Sequence, residues 1–529
     1  MVHAVVVIHT IFGILIRGVL TDSCSKAPSN CPNTHYRSHD GSCNNLKHPS
    51  WGMSNTTYGR LLPPKYGDGI GALPRAKSGK PLPLPRKLSS ELYPERNITD
   101  SSFTLNAQQY GQIITHDMSF TQMQSPETPC CTQQGKNLDP LTRITHYLDL
   151  SLVYGNNDVI NSRLREYKGG RLLVDKIGGK EWPHLLRNNT LACEPTNVPR
   201  LCDYASDPRI NQNTELTVLQ VLLLRKHNVI AANLAAVNPH WNDEKLYQEA
   251  RRINIAAHQY VSYYEWLPII LGKEYMLQNR IIYETDECVD DYNEEVNPSV
   301  LNEHATAAFR YYHTQIAGIL DVVNEPRKVT KTLRLSDWYR DPGVLYDGDN
   351  FEGLCRGLAT QLQMADDSYH DHEVTLYMFR NGSEFGQDLK SADILRCRNH
   401  GLASYNDVRE YCNLRRAKNF DELTDINETN RQKLKKLYES VDDIDLTVGG
   451  SLEELIPGTQ AGPTFHCIML KQFLITRIGD RFWFERCGET GFTKAQLKEI
   501  RKTSITGLMC LPEGITHMQK KGFLKISKK

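Results

Sequence analysis

His116 stands in the run Tyr110-Gly111-Gln112-Ile113-Ile114-Thr115-His116-Asp117-Met118. On a helix Gln112 and His116 are four residues apart and share one face, while Asp117 points away and can serve a second site. An imidazole beside a primary amide suits proton shuttling over a small ligand. Far along the chain, Ala308-Phe309-Arg310-Tyr311-Tyr312-His313-Thr314 sets a guanidinium and a second imidazole three residues apart, again on one helical face. Two such histidines suggest a haem held between helices. Either histidine alone reads more simply as a core residue satisfied by hydrogen bonds.

The elements that must position these groups are helical. Apolar residues recur with helical period at 104–118, at 215–236, where Leu216, Leu219, Leu223 and His227 follow one face, and at 244–270, 303–317 and 494–509. The expectation is a mainly α fold with little β: residues 1–23 a leader, 24–100 an irregular arm, and 101–529 a single large helical catalytic domain. The arm is rich in Pro, Gly, Ser and Asn, which favour turns over regular elements. No internal repeat or low-complexity linker interrupts the middle.

With 529 residues, 40% of them hydrophobic, the chain can bury one large core or two smaller ones. Lys plus Arg and Asp plus Glu both number 62, so no global field draws in nucleic acid or an anionic membrane. The tail Lys520-Lys521 to Lys528-Lys529 reads as a solvated end.

Residues 4–16, Ala-Val-Val-Val-Ile-His-Thr-Ile-Phe-Gly-Ile-Leu-Ile, form an apolar run of signal-peptide length and too short for a stable membrane span, although no Lys or Arg precedes it. Sequons at Asn55, Asn97, Asn188, Asn381 and Asn427 offer N-linked glycosylation on a secretory route. Fourteen cysteines fit an oxidising compartment and a disulfide framework, against the alternative of buried free thiols. The resulting expectation is a secreted, extracellular glycoprotein.

Further segments extend the pattern: Asp40-Gly41-Ser42-Cys43-Asn44-Asn45-Leu46, Leu61-Leu62-Pro63-Pro64, the stretch from Arg225 through His227-Asn228, and Gly479-Asp480-Arg481-Phe482-Trp483. Together these motifs, ordered from about Cys31 to Cys510, resemble the animal haem peroxidases of the peroxidase and cyclooxygenase superfamily, most like the secreted invertebrate chorion, salivary and peroxinectin-type branch. The resemblance pairs Cys31 with Cys43, Cys193 with Cys202, Cys412 with Cys467 and Cys487 with Cys510. It leaves Cys24, Cys130, Cys131, Cys288, Cys355 and Cys397 unassigned.

The same resemblance implies a peroxidase that reduces hydrogen peroxide through a ferryl intermediate. His116 would be the distal base, a general acid-base role typically worth about two to four orders of magnitude in rate. Arg209, in Asp207-Pro208-Arg209-Ile210-Asn211-Gln212, would stabilise charge as the O–O bond breaks, and Gln112 would hold a water or halide. By itself Arg209 is equally a surface salt-bridge residue. His313 would ligate the haem iron from the proximal side, with Asp393 accepting from its other nitrogen. Well-known mammalian members carry Asn at the position of Asp393, so a stronger acceptor and a lower reduction potential are expected here. Arg310 and Arg396 would bind haem propionates; the bland reading of Arg396 and Arg398 is an ordinary ion pair.

Mammalian members tie haem methyls to an Asp just before the distal His and a Glu three residues after the distal Arg. Here those positions are Thr115 and Gln212, and Asn213 stands where a sulfonium-forming Met is found, so haem b held without covalent bonds is expected. Phenols, catechols, iodide or thiocyanate would then be favoured over chloride as donors.

In Thr145-His146-Tyr147-Leu148-Asp149-Leu150-Ser151 the odd-numbered residues offer alternating oxygens that suit a hard cation. The family pattern makes these a calcium site: Asp117, Thr145, the Tyr147 carbonyl, Asp149 and Ser151. The bland alternative is a half-buried strand. Two other functional readings stand beside the peroxidase: a fatty-acid dioxygenase of the same superfamily, for which no motif marks Tyr311 or Tyr312 as a radical site, and an adhesion protein on a peroxidase scaffold, for which the chain lacks Arg-Gly-Asp and Lys-Gly-Asp. A degenerate enzyme is a further possibility, given Cys397 and Asn399.

Overall fold

The longest strands of the structure, a computed structural model, run six residues, whereas its helices reach 24. The model describes residues 27–122, 139–187, 201–203 and 205–526. The apolar leader, Cys24, Cys130, Cys131, Cys193 and the Asn188 sequon lie outside these residues. The mainly α expectation holds. Among the described residues no helix is long and apolar enough to cross a membrane.

Five helices carry the site. α1 spans Leu105–Met118, α2 Thr214–Val237, α3 Asp243–Tyr260, α4 Leu389–Asn399 and α5 Pro463–Ile478. Every residue of α1 is buried except Gln112, which is half-buried. The helix therefore runs through the core with apolar neighbours all round, and its one less buried position falls on the face shared with His116. The indole N–H of Trp266 donates to the Ala107 carbonyl at 2.7 Å, and a Cβ on Gly111 would stand 3.0 Å from that indole ring, so a larger residue there would press on the indole.

α2 starts where Asn213 caps it, its side-chain oxygen accepting from the Leu216 N–H at 2.8 Å. After α3 the chain widens into a π turn, Val261–Trp266, before a short helix Leu267–Leu271. The expected continuous period over 244–270 thus holds with one register change, which delivers Trp266 to α1.

The expected helix at 303–317 is corrected. The chain instead forms a short α turn, Asn302–Thr306, kinks, and continues as a 3-10 turn, Ala308–Gln315. In a 3-10 turn residues three apart eclipse one another, so Arg310 and His313 still share a face. The segment 494–509 likewise divides, into Lys494–Ile500 and Ile505–Met509.

Strands are short and peripheral: Thr56–Thr57, Leu141–Thr142 and Thr121–Gln122 make a three-stranded patch, and Ile319–Val323 pairs antiparallel with Val329–Arg334. The arm is largely irregular and is clamped to the far end of the chain. Arg37 pairs with Asp480 at 2.9 Å, and the Asn44 side chain donates to the same carboxylate at 2.7 Å. Both members of the ion pair are buried, so deleting one strands the other at a cost of about 3–5 kcal/mol. Two motifs at opposite ends of the sequence thus close on one carboxylate.

Disulfides join Cys31 to Cys43 and Cys412 to Cys467 as expected. The Cys487–Cys510 pairing is overturned: Cys487 bonds Cys288, because the Val289 N–H donates to the Glu485 carbonyl at 2.8 Å and lays the two segments side by side. Cys510 is an exposed thiol, and Cys355 and Cys397 are buried thiols. Cys202 is disulfide-bonded, as expected.

Candidate active site

His116 lies in the last turn of α1, and Arg209 is aimed at it by Asp207. This aspartate caps the 3-10 turn Pro208–Asn211, accepting from the Arg209 N–H at 2.9 Å, and holds the guanidinium through Nε at 2.9 Å and Nη2 at 2.6 Å. Nη2 also donates to the His116 carbonyl at 3.1 Å and Nη1 to the Ser119 carbonyl at 2.9 Å, satisfying acceptors that a helix end leaves open. The ring of Phe120 lies 4.2 Å from the guanidinium carbon. Of the five N–H bonds of Arg209, one, on Nη1, remains without a partner among the described residues.

The His116 ring is buried, and its Nδ1 has no hydrogen-bond partner among the described residues. Burial, reinforced by the positive charges of Arg209 and Arg310, holds its pKa well below the usual histidine range. A neutral imidazole is the form that accepts a proton. Gln112 is braced rather than free: its side-chain oxygen accepts from Gln109 at 2.9 Å and from Asn213 at 3.1 Å.

His313 comes from the 3-10 turn and Asp393 from α4. Nδ1 of His313 meets Asp393 Oδ2 at 2.6 Å, and Asp393 Oδ1 accepts from Arg396 Nη1 at 2.7 Å. Burial pushes the Asp393 carboxyl up, but His313, then Arg396 and Lys390, outweigh it and hold the group below the usual carboxylate range. An ionised Asp393 orients the imidazole with Nδ1–H toward the carboxylate, leaving Nε2 as the nitrogen that could ligate a metal. Arg396 is therefore partly committed to Asp393, while Arg398 is a structural ion pair, donating to Asp445 at 2.8 and 2.7 Å. Arg310 anchors through Nε to the Ala305 carbonyl at 3.0 Å. Burial and the facing Arg396 and Arg209 depress its pKa.

These groups fit a flat, dianionic cofactor. Arg209 and Arg396 both repel the buried Arg310, whose charge also bears on His116, with its unpartnered Nδ1, and on His313, held by Asp393. The hydroxyl of Thr115, where attached relatives carry Asp, donates to the Gly111 carbonyl at 2.9 Å and meets the Tyr312 hydroxyl. It ties α1 to the 3-10 turn.

The oxygen loop is not a strand: residues 145–150 are irregular and buried, with Leu150 in the left-handed region, φ +56°. It brings Asp117 and Asp149 together. The Leu150 N–H donates to Asp117 Oδ2 at 2.9 Å, Thr145 donates to Asp149 Oδ1 at 2.9 Å, and Ser151 Oγ approaches the Asp117 carbonyl at 3.4 Å. Tyr147 fixes the loop from beneath by donating to the Trp51 carbonyl at 2.9 Å; its ring passes so close to Gly52 that a Cβ would fall 2.3 Å away. Burial and the neighbouring Asp117 push Asp149 up to about 7, against the opposing charges of Arg37 and Arg251. Among the described residues no three His, Cys, Asp or Glu side chains converge, so a cation here would complete its shell with hydroxyls and carbonyls.

The structure joins Arg209 to the end of the His116 helix, Asp393 to His313 and Arg396, and Asp117 to the loop that carries Thr145, Asp149 and Ser151. It adds Asp207 and Phe120 as the seat of Arg209, Asn213 as the brace of Gln112, and Tyr312 as the bridge between the helices. Asp207 was findable, since Asp before Pro is a frequent helix-start signal; the others had no local signature.

The animal haem peroxidase family model matches residues 36–142 and 132–523. A Drosophila melanogaster peroxidase is 45% identical over 96% of this chain and 82% of its own length. The chorion peroxidase of the same organism is 33% identical over 90% of this chain and 65% of its own length. Among solved structures, peroxidase A from Dictyostelium discoideum superposes with TM-score 0.80 at 25% identity, covering 93% of this chain and all of the other. A fatty acid alpha-dioxygenase from Oryza sativa reaches TM-score 0.73 at 19% identity, covering 92% of this chain and 86% of the other, a likeness of fold alone.

Proposed function

Since the chain belongs to the animal haem peroxidase family and is an oxidoreductase acting on hydrogen peroxide, we propose that it binds haem b without covalent links between His116 and His313 and oxidises small phenols, catechols, iodide or thiocyanate. When bound, the haem supplies the redox chemistry that breaks the O–O bond. His116 would accept a proton from one oxygen of the peroxide and return it to the other, which leaves as water. The remaining N–H of Arg209 faces the charge that develops as that bond lengthens. Asp393 holds His313 in the ligating tautomer, and Arg310 with Arg396 meets the propionates. Calcium, in this reading, sits among Asp117, Thr145, the Tyr147 carbonyl, Asp149 and Ser151. The protein is secreted, with glycans on its exposed sequons.

The observation that carries the reading is a pair of buried imidazoles on separate elements, His116 with an unpartnered Nδ1 and His313 held by Asp393, both within reach of the Arg310 charge. The test is peroxide-dependent oxidation of a phenol. His116→Ala should lower kcat/KM by about two to four orders of magnitude. The wild-type rate should stay flat through pH 6.5, because a base whose pKa is depressed loses function only as pH falls through that lower value. An active His116→Ala enzyme, or an inflection at pH 6.5, contradicts the assignment. Because neither Thr115 nor Gln212 has a carboxylate to esterify, organic-acid extraction should release all the pigment; haem retained on the polypeptide would refute non-covalent binding.

A further inference from the structure

On the proximal side, beyond Tyr311, lies a cavity of about 390 Å³ that the peroxidase chemistry does not use, lined by Tyr311, Asp366, Asp367, Tyr369, Glu454 and Phe465 among others. Its volume falls within the roughly 300–1,000 Å³ of small-molecule sites. Tyr311 is only 4% exposed, yet its hydroxyl has no hydrogen-bond partner among the described residues, and neither has the buried Oδ2 of Asp366. Buried polar atoms are normally paired, so two orphans on one cavity mark a place where a ligand completes the set.

The charges around the cavity favour a cation. Glu453 is already paired with Arg409 and bonded to Tyr405 and Thr464. That leaves Asp366, Asp367 and Glu454 against two cations, Lys390, which bonds only neutral oxygens of Thr447 and Ser451, and Arg96, which lies over the Tyr369 ring at 5.4 Å. Burial and the adjacent Asp367 push the Asp366 carboxyl up, a burden that a bound cation would relieve. A metal ion is disfavoured, since among the described residues no three metal-ligating side chains converge. An organic ammonium suits the mixed wall: its nitrogen takes charge-assisted hydrogen bonds, and an attached ring packs against the aromatic side chains.

We propose that this cavity binds a small aromatic amine in its ammonium form, with the nitrogen on Asp366 and the Tyr311 hydroxyl and the ring toward Phe465 and Tyr369. The site is distinct from the cleft between His116 and His313. The rings of Tyr311, Tyr312 and His313 follow one another at 5.6 and 5.7 Å, so Tyr311 in the cavity wall lies two residues from His313 along the same 3-10 turn.

Crystals of the haem-loaded protein soaked in 4-bromophenethylamine should show anomalous bromine density in this cavity. In solution, titration calorimetry should give phenethylamine at least about tenfold tighter binding than the neutral 2-phenylethanol, a difference that Asp366→Asn abolishes. Bromine found only elsewhere, or equal affinities for amine and alcohol, overturns the proposal. If Asp366→Asn does not fold, the density and the amine-to-alcohol ratio of the wild type decide the matter alone.

Discussion

At the residue scale, the site works through partners that set protonation and aim. Asp393 is the clearest case. A buried carboxylate hydrogen-bonded at 2.6 Å to His313 gives the imidazole more anionic character than a neutral amide can, and that stabilises the higher oxidation states of a bound iron. Potentiometric titration of the haem-loaded Asp393→Asn variant should therefore give a higher reduction potential than wild type; equal potentials would remove Asp393 from this role. His116 and His313 stood out in the sequence by type and spacing, whereas Arg209 was singled out only through the family resemblance. Asp207 and Tyr312 were harder to see: an acid two residues from an arginine and a tyrosine beside a histidine have many ordinary uses. Only the fold shows that Tyr312 reaches Thr115 across the core.

At the scale of elements, α1 matters most, because it delivers His116 to one site and Asp117 to another. A cation held by Asp117 and Asp149 would fix the last turn of α1 and, through it, the distal imidazole. Chelation of the holoenzyme should lower Tm and peroxidase rate together, with recovery on adding calcium but not magnesium, which demands a tighter octahedral shell. A protein free of calcium by elemental analysis and indifferent to chelator would contradict the site. The long helices α1 to α3 were readable from periodicity over many turns. α4 and α5 were not: both pack on several sides, so no clean apolar stripe marks them, and α4 carries basic residues in its last turn. The 3-10 turn at Ala308–Gln315 was misread as α because a three-residue spacing serves both geometries.

At the scale of the whole molecule, remote segments converge in ways that local reading does not reach. The arm meets the Gly479–Trp483 motif on Asp480, and Cys288 crosses to Cys487, a separation of 199 residues. The family resemblance suggested Cys510 instead, but pairing follows three-dimensional neighbours. The family and the mainly α architecture were visible in ordered motifs spread over the chain. The result is a frame that holds two histidines on separate elements across one charged space. Stopped-flow absorbance of the haem-loaded protein mixed with hydrogen peroxide, followed by a phenol, tests that arrangement most directly. A rapid Soret change that the phenol reverses is the predicted result; a Soret band unchanged at full haem occupancy would mean that His116 and Arg209 do not act as assigned.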